Sequence, residues 1–326
     1  MSSSLDSADR PQSYLHPIQL MPVFRERIWG RKSLMPFFPR VESEANSLIG
    51  EAWLTFEENL TSLGISFADL LRRHPETLGV AGEPNRPGIC PLLVKFIFTT
   101  ERLSVQVHPD DTYAELHHRS LGKTEAWYVV DAQPGAEVAV GFREALAPER
   151  LKATAQSGEI EHLLAWHKVK AGDIVFVPAG TVHAIGAGLT ICEVQENSDI
   201  TYRLYDYGRP RELHLEHGMA VSRLEPCSFD PEPRRIAKGR DALTESKYFR
   251  IERLQPKRAV KIEGGSPYYF LLICLRGEGT IADSKFAAGQ AWFIPARAGQ
   301  FSIDGSDSEW VLAYTSDEAF AGIAVD

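Results

Sequence analysis

The amino-acid sequence predicts a mainly β protein built from two related β domains, with a few helices inserted in and after the first. Short apolar runs broken by Pro and Gly recur from Ile18 onward, with turn signals roughly every 8–12 residues, as in sandwiches and barrels. A length of 326 residues suits two such domains. An internal repeat relates the two halves, and a Pro-, Asp- and Arg-rich stretch at 230–240 separates them.

The strands are predicted from alternating or dense apolar runs. Those before the separating stretch are 92–99, 103–107, 126–130, 137–140, 174–177 and 189–193, and those after it are 249–254, 268–275, 291–294 and 310–314. Helical spacing or composition predicts three helices, at 67–73, 144–167 and 213–224. His117 and His118 are predicted on a surface helix, and His214 and His217 are interpreted as structural or solvated.

The chain is accordingly divided into three parts. Residues 1–14 are Ser- and Asp-rich and are predicted to be a disordered tail. Residues 15–232 are predicted to hold the first β domain with its helical segments, and residues 233–326 the second. The tail has no apolar core of a signal peptide, and the longest apolar run, at 268–275, is far shorter than the about 20 residues that span a bilayer. We therefore expect a cytoplasmic protein without a membrane segment.

The repeat consists of two segments of equal length, AGDIVFVPAGTVHAIGAG at 171–188 and AGQAWFIPARAGQFSIDG at 288–305. In both, a Gly opens a turn, an apolar strand follows, and a Pro ends the pairing of that strand. The matching pairs are Gly172/Gly289, Phe176/Phe293, Pro178/Pro295, Ala179/Ala296 and Gly188/Gly305. The first copy carries His183 where the second carries Gln300, so only the first copy keeps a potential metal ligand.

The composition argues against some classes of function. The net charge of −9 disfavours non-specific nucleic-acid binding, which needs a basic face that neutralises phosphates. A small phosphorylated substrate remains compatible, because local Lys and Arg residues can hold a phosphate inside an acidic protein. None of the four cysteines belongs to a C-x-x-C pair, which indicates free thiols and neither a disulfide framework nor a zinc finger.

Polar residues at strand spacing predict a metal site in the first domain. In QVH at 106–108 and in KTE at 123–125 the outer residues are two apart and therefore share one face of a strand. The predicted ligands are Gln106, His108, Glu125 and His183. Two imidazoles, a carboxylate and an amide oxygen suit Zn²⁺, with room for water or a substrate oxygen, and the lack of cysteine argues against a structural zinc site.

The pattern Gly172-x5-Pro178-x-Gly180-x2-His183 resembles the second motif of the cupin superfamily, whose histidine binds metal. The resemblance implies two cupin-type jelly-roll β-barrels, with the metal site in the first barrel and none in the second. The usual terminal Asn of this motif is replaced by Ala187, and the first cupin motif is absent in its standard form. Both departures point away from the generic metal cupins.

Longer motifs resemble the type I mannose-6-phosphate isomerases (phosphomannose isomerases), and most closely their short bacterial form. The resemblance extends from about His16 to the C-terminus. Its motifs are HPIQLMPVFRERIWG, GEAW at 50–53, PLLVKFIF, SVQVHPDD, GKTEAWYV, PAGTVHAIGAG and NSDITYRLYDYGR. The zinc ligands of that family correspond to Gln106, His108, Glu125 and His183, and all four are present. The segment RIWGRKSL departs from the family, since it lacks the doubled glycine that often follows Trp-Gly.

The resemblance implies an isomerase that interconverts D-mannose 6-phosphate and D-fructose 6-phosphate through a cis-enediol, with one Zn²⁺ per chain. It matches Arg203 to an active-site arginine that can stabilise an enediolate or hold phosphate, and Glu193 to a glutamate that is a candidate base. Lys123 is a candidate proton shuttle, since a bound cation beside it would lower its pKa. The predicted substrate-binding residues are Lys95, Trp29, Glu51 and Ser104.

Two other functions stay open at this point. An Fe(II) cupin dioxygenase also uses two histidines and one carboxylate, although Gln106, Lys123 and Arg203 fit that chemistry less well. A cupin that binds a sugar phosphate without turnover would have lost catalysis, and the intact set of candidate residues speaks against such decay. The expected partner is thus a small hexose phosphate, not a nucleic acid or a membrane, and both a monomer and a homodimer are compatible with the sequence.

Overall fold

The computed structural model describes residues 13–42, 47–82, 86–305, 307–316 and 318–324. Within these residues the protein is mainly β, which confirms the predicted fold class. Five α-helices are described: α1 (Phe67–Arg73), α2 (Asp111–His118), α3 (Pro148–Ser157), α4 (Ile160–Leu163) and α5 (Leu215–Val221). Two short 3-10 helices, Ser13–Leu15 and Pro75–Leu78, accompany them.

The strands fall on either side of the separating stretch. The first fourteen are β1 (Ile18–Leu20), β2 (Val23–Arg31), β3 (Ser33–Leu34), β4 (Phe38–Glu42), β5 (Ile49–Trp53), β6 (Leu92–Phe98), β7 (Val105–Val107), β8 (Glu125–Ala132), β9 (Glu137–Phe142), β10 (Leu164–Lys168), β11 (Ile174–Val177), β12 (His183–Ile185), β13 (Leu189–Glu196) and β14 (Tyr202–Tyr205). The others are β15 (Arg234–Ala237), β16 (Arg240–Glu245), β17 (Arg250–Leu254), β18 (Val260–Ile262), β19 (Phe270–Arg276), β20 (Glu278–Ile281), β21 (Ser284–Ala287), β22 (Ala291–Ile294), β23 (Phe301–Asp304), β24 (Glu309–Tyr314) and β25 (Ile323–Ala324).

These strands form four large antiparallel sheets and one small hairpin of β3 and β4. Sheet 1 has the order β11-β8-β13-β6-β5-β2, and sheet 2 the order β10-β9-β12-β7-β14. Sheet 3 has the order β1-β22-β19-β24-β17-β16-β15, and sheet 4 the order β21-β20-β23-β18-β25. Sheets 1 and 2 make the first barrel, and sheets 3 and 4 make the second, an arrangement consistent with two cupin jelly-rolls.

The sheets pack as layers because each strand alternates its side chains between two faces. Phe96 and Val194 of sheet 1 pack with Leu271 and Phe293 of sheet 3, so the two barrels share one apolar core where these sheets face each other. A second cluster, which includes Trp127, lies between sheets 1 and 2. A third covers the outer face of sheet 2 with α3 and α5, and a fourth fills the second barrel.

The sequence repeat is visible in the backbone. Gly172 and Gly289 both adopt positive φ, at 95° and 89°, a conformation that residues with a Cβ rarely take. Each glycine precedes an equivalent strand, β11 in the first barrel and β22 in the second. The copies diverge afterwards, since His183 is fully buried whereas Gln300 is exposed.

Helix α1 has the predicted bounds, and α5 lies within the predicted helix 213–224. The predicted helix at 144–167 is wrong in its last part. The helical region ends at Leu163, and Leu164–Lys168 forms β10, which pairs with β9 at the edge of sheet 2. Among the described residues, none of the helices combines the length and apolar character needed to cross a membrane.

The N-terminal segment does not stay with the first barrel. Residues 1–12 of the predicted tail lie outside the described residues, but Tyr14 stacks on His74 with ring centroids 4.0 Å apart. Strand β1 then joins sheet 3 of the second barrel, with Ile18 opposite Phe293 and Leu20 opposite Ala291. The division of the chain at residue 232 stays a prediction. It would assign β1 to the first domain, although β1 pairs in a sheet of the second.

The interior of the second barrel holds a buried ion pair. Arg240 Nε lies 2.5 Å from Glu252 Oε2, and both side chains are almost fully buried. Tyr314 Oη donates a hydrogen bond of 2.7 Å to Glu252 Oε1. The Arg240 guanidinium and the Glu252 carboxylate thus neutralise each other inside this barrel.

We expect Glu252→Ala to lower the free energy of unfolding by about 3–5 kcal/mol, because it leaves the Arg240 guanidinium buried without its counter-charge. Urea denaturation followed by circular dichroism measures the change. Lys257→Ala is the matched control, since its pair with Asp307 is solvent-exposed and should contribute at most about 1 kcal/mol. Equal losses of stability in the two variants would contradict the stabilising role of the buried Arg240–Glu252 pair.

Candidate metal centre and active site

Strand alternation positions the candidate ligands inside the first barrel. Val105 and Val107 of β7 pack outward beneath the helices, so Gln106 between them faces the interior. In β12, His183 is the direct cross-strand partner of Gln106. Glu125 begins β8 in the opposite sheet.

His108, Glu125 and His183 converge at the floor of the interior. The ligand atoms of these three residues lie within 4.8 Å of one another, and all three side chains are buried. His108 Nε2 is 3.4 Å from Glu125 Oε2, and His183 Nε2 is 3.3 Å from Glu125 Oε1. Among the described residues this is the one group of three or more His, Cys, Asp or Glu side chains with such geometry.

Backbone carbonyls orient both imidazoles. His108 Nδ1 lies 2.9 Å from the carbonyl oxygen of Ile200, and His183 Nδ1 lies 2.8 Å from that of Thr181. A carbonyl only accepts, so each Nδ1 carries the proton and each Nε2 presents a lone pair toward Glu125. This is the usual second-shell arrangement of histidines that bind a metal.

Gln106 lies beside these ligands, and its side-chain amide nitrogen faces His183. Its Nε2 is 3.2 Å from His183 Nε2, while its Oε1 accepts a hydrogen bond of 3.2 Å from Ser104 Oγ. The amide nitrogen, and not the amide oxygen, therefore faces the lone pair of His183 Nε2. For the oxygen to serve as a fourth ligand, the amide has to turn over.

The charge of Glu125 is stabilised by its neighbours. Burial would raise its pKa, but Lys123 and His108 outweigh burial and hold that pKa well below its usual range. Lys123 Nζ lies 2.7 Å from Glu125 Oε2, and the carboxylates of Glu125 and Glu193 outweigh burial and raise the lysine pKa. Burial, followed by the charge of Lys123, lowers the pKa of His108 to about 3, and burial lowers that of His183.

These residues fit a divalent metal ion. Two neutral imidazoles present Nε2 lone pairs, and an ionised carboxylate lies between them. Glu125 Oε2 is buried between His108 Nε2, at 3.4 Å, and Lys123 Nζ, at 2.7 Å. Imidazole nitrogens and carboxylate oxygens are the donor types that Zn²⁺ binds.

A cavity of about 490 Å³ opens above the three ligands. It is lined by all the remaining residues that the sequence analysis singled out, namely Trp29, Glu51, Lys95, Ser104, Gln106, Lys123, Glu193 and Arg203. Lys95 and Glu193 are cross-strand partners in sheet 1, with Lys95 Nζ 3.5 Å from Glu193 Oε2. Burial, together with the charge of Glu125, raises the pKa of Glu193 to about 7.

Two tryptophans tie these carboxylates to the barrel wall. Trp127 Nε1 donates to both Glu125 Oε1 and Glu193 Oε1, at 3.1 Å each. Trp53 Nε1 donates to Glu51 Oε2 at 2.7 Å, and its ring lies 4.6 Å from Lys95 Nζ. The buried polar groups are therefore held by hydrogen bonds from rigid side chains.

The sequence analysis missed Arg27, which lines the same cavity. A bulge in β2, where Glu26 and Arg31 both pair with Ile49, turns the intervening residues toward the cavity. Arg27 binds Glu51 through Nε and Nη2, at 3.2 and 2.9 Å. The motif around Trp29 pointed to this segment of the chain. The alternation of side chains along a strand, however, does not predict where a bulge occurs.

Arg203 and Arg211, on the other wall of the cavity, differ in their partners. Arg211 binds the carboxylate of Asp206 through two nitrogens, at 2.7 and 2.6 Å. Arg203 Nη1 donates to the carbonyl oxygen of Glu212 at 2.7 Å, and none of the described carboxylates forms an ion pair with Arg203. Its guanidinium charge is therefore available to an anion in the cavity.

The backbone between Lys123 and Glu125 is clamped by Glu196. Thr124 N donates to Glu196 Oε2 at 2.7 Å, and Glu196 N donates to the carbonyl oxygen of Thr124 at 3.1 Å. Burial is the main cause that raises the pKa of Glu196 to about 8, and a hydrogen bond to Asp111 adds to it. Glu196 thus fixes the segment that carries both Lys123 and Glu125.

The fold and the site define a mainly β, two-barrel protein with, among the residues that the structure describes, one candidate metal centre of two histidines and a carboxylate. The comparisons with known proteins give the family. No protein-family model matches the chain. Mannose-6-phosphate isomerase ManA of Bacillus subtilis is 35% identical over 314 residues, which cover 89% of this chain and 96% of the relative. The enzyme of that name from Streptococcus mutans is 33% identical over 323 residues, which cover 92% and 99%.

Solved structures agree with the relatives. The crystal structure of the mannose 6-phosphate isomerase from Bacillus subtilis has a TM-score of 0.81 at 29% identity, and the match covers 91% of this chain and 99% of that one. A phosphomannose isomerase variant from Salmonella typhimurium has a TM-score of 0.75 at 16% identity, over 92% and 100%, and shows the shared fold. The chain belongs to the mannose-6-phosphate isomerase family.

The clamp on Thr124 generates a prediction for two substitutions. Glu196→Ala leaves the buried Thr124 N–H without its acceptor and should lower the free energy of unfolding by about 1–3 kcal/mol. Glu196→Gln keeps an acceptor oxygen and should cost much less. Chemical denaturation and calorimetric titration with a divalent metal would compare them, and we expect weaker metal binding only in the alanine variant. Unchanged stability and affinity in that variant would contradict the clamp.

The same residue gives a dependence on pH. The pKa of Glu196 is about 8 in the folded protein against an ordinary value of 4.5, so the folded state binds its proton more tightly. The stability that this proton contributes is complete below about pH 4.5 and is lost as the pH rises through 8. Glu196→Gln mimics the protonated acid, so its stability relative to the native chain should rise across this window. A difference that stays constant from pH 5 to 8 would exclude the effect.

Proposed function

We propose that this chain interconverts D-mannose 6-phosphate and D-fructose 6-phosphate, with one Zn²⁺ per chain, through a cis-enediol intermediate. The observation that carries the proposal is the joint position of three groups in one cavity. His108, Glu125 and His183 are buried beside the cavity, Gln106, Glu193 and Lys123 line it, and Arg203 offers an unneutralised cation. Family membership supports the choice of substrate.

His108, Glu125 and His183 would hold the metal ion, with Gln106 as a fourth ligand once its amide turns over. Two imidazoles with oxygen donors suit Zn²⁺, and the absence of thiolates leaves room for exchangeable oxygen ligands. When bound, the ion supplies a Lewis acid that polarises or orients the sugar oxygens. Trp127 and the carbonyls of Ile200 and Thr181 keep the protein ligands in place.

Glu193 is our candidate for the base that moves the proton between C2 and C1. As a carboxylate it removes the C2 proton of the open-chain aldose, and as the resulting acid it returns a proton to C1. A base with a pKa near the working pH is favourable for both steps. The Glu193 carboxylate accepts a hydrogen bond from Trp127, lies beside Lys95 and faces the cavity.

Lys123 and Arg203 are assigned to the oxygens. Lys123, an ammonium with a raised pKa, donates a proton to O1 as the enediol forms and accepts one from O2 as it collapses. Arg203 stabilises the negative charge of the enediolate or of the phosphate, which is consistent with its lack of a carboxylate partner among the described residues. Lys95, Trp29, Glu51 and Ser104 are proposed to position the sugar in the cavity.

The test of the function is a coupled assay for fructose 6-phosphate formed from mannose 6-phosphate. We expect activity that a chelator removes and that added Zn²⁺ restores, because the residues beside the cavity are suited to hold a metal ion. His108→Ala should lose both the bound ion and the activity, while His162→Ala, a surface histidine of α4, should keep both.

The same samples separate the rival functions. A folded, zinc-loaded protein without isomerase activity would overturn the proposal. Oxygen uptake that depends on Fe²⁺ would support a cupin dioxygenase, since two histidines and one carboxylate also form an Fe(II) site. Tight binding of mannose 6-phosphate without turnover would support a binding protein.

Arg203→Ala should lower kcat/KM by about 10²–10³-fold, the usual loss when one stabiliser of transition-state charge is removed. Metal content, measured by elemental analysis, should stay unchanged, because Arg203 is not a ligand. Arg102→Ala is the control, since Arg102 pairs with Glu137 and Glu161 away from the cavity. Full activity of Arg203→Ala would refute its assigned role.

A further inference from the structure

Three histidines that the isomerase proposal does not use lie together on the outer side of sheet 2. His117 and His118 end α2, and His217 lies in α5, which packs against β14 and β7 of that sheet. His117 and His118 are exposed, and His217 is half-buried. We call these three residues the histidine cluster.

The three rings lie slightly farther apart than ligands that share one metal ion. Ring centroids are 5.5 Å apart for His117 and His217, 5.8 Å for His118 and His217, and 6.4 Å for His117 and His118. Two imidazoles on one tetrahedral ion with metal–nitrogen bonds of about 2.0–2.1 Å have centroids about 5.2 Å apart. Because the observed separations are larger than this, the side chains have to rotate before their nitrogens can share an ion.

Two tyrosines hold the cluster in place. Tyr113 Oη lies 2.9 Å from His217 Nδ1, and Tyr202 Oη lies 2.5 Å from His118 Nε2. Tyr113 also stacks on His117, with centroids 4.1 Å apart, and Tyr202 stacks on His217 at 5.1 Å. Each bonded histidine keeps a second ring nitrogen that makes no hydrogen bond with another described residue.

The electrostatics favour neutral rings that can donate lone pairs. Burial, followed by the proximity of His217 and His117, lowers the pKa of His118. The neutral form of the His118 ring is therefore favoured. Neutral imidazole is the form that binds metal.

We propose that the histidine cluster is a second metal site, on the surface, for borderline divalent ions such as Zn²⁺, Ni²⁺ or Cu²⁺. Imidazole nitrogens select these ions over Mg²⁺ and Ca²⁺, which require oxygen ligands. The three rings have to rotate to converge, whereas the buried ligands His108, Glu125 and His183 already lie together. The surface site therefore binds more weakly than the buried one, and the two share no residue.

The experiment is a calorimetric and equilibrium-dialysis titration of the metal-free full chain with Zn²⁺, with Mg²⁺ as the negative control. We expect two ions per chain for the native sequence and one for the double variant His118→Gln/His217→Gln. Loss of two ligands should weaken the second site by more than the roughly 10–100-fold that follows removal of an outer-shell partner. His74→Gln/His162→Gln, which removes two histidines elsewhere, should still bind two ions.

The outcomes are distinct from those of the isomerase assay, because the readout is stoichiometry and the variants leave the cavity intact. A single ion in the native chain at saturating Zn²⁺, lost only with the His108 ligand set, would overturn the proposal. So would two ions in the double variant. If the buried site bound no zinc, the native chain would still bind one weak ion that the double variant loses.

Discussion

The structure of the first barrel depends on the stabilisation of one buried negative charge. Glu125 is fully buried, and an ionised carboxylate in such a place is costly unless it is paired and hydrogen-bonded. Lys123, Trp127 and the two histidines provide that environment. Because they come from β7, β8, β12 and the turns beside them, both sheets must close correctly before the charge is stable. The requirement that creates a metal centre thus also helps to define the barrel.

Much of the fold followed from local patterns, and its errors have physical causes. Strand alternation and the repeat predicted a mainly β protein, and the apolar spacing of α1 predicted its bounds. The segment at 164–168 has a composition suited to a helix, but it pairs with β9 at a sheet edge, and tertiary pairing overrides propensity. The position of β1 in the opposite barrel is a long-range pairing with β22, and no local signal encodes it.

The proximity of the candidate site residues could be predicted from the sequence, because these residues occur in motifs with strand spacing. QVH, KTE and His183 do lie together, and the remaining named residues line one cavity. Arg27 reaches the cavity because of a bulge in β2, and Glu196 acts through hydrogen bonds to the backbone of Thr124. Residue spacing in the sequence therefore predicts neither of them. The two carboxylates that raise the Lys123 pKa come from different strands, so their proximity was also beyond the sequence.

Strand β1 has a consequence for synthesis on the ribosome. Among the described strands it is the first in chain order, yet its partner β22 follows more than twenty strands later. At about 5–20 residues per second, the interval between the two is tens of seconds. During that time the first barrel can assemble, while β1 remains an unpaired edge next to it. The pairing of β1 with β22 therefore joins the two barrels only after the first barrel has been synthesised.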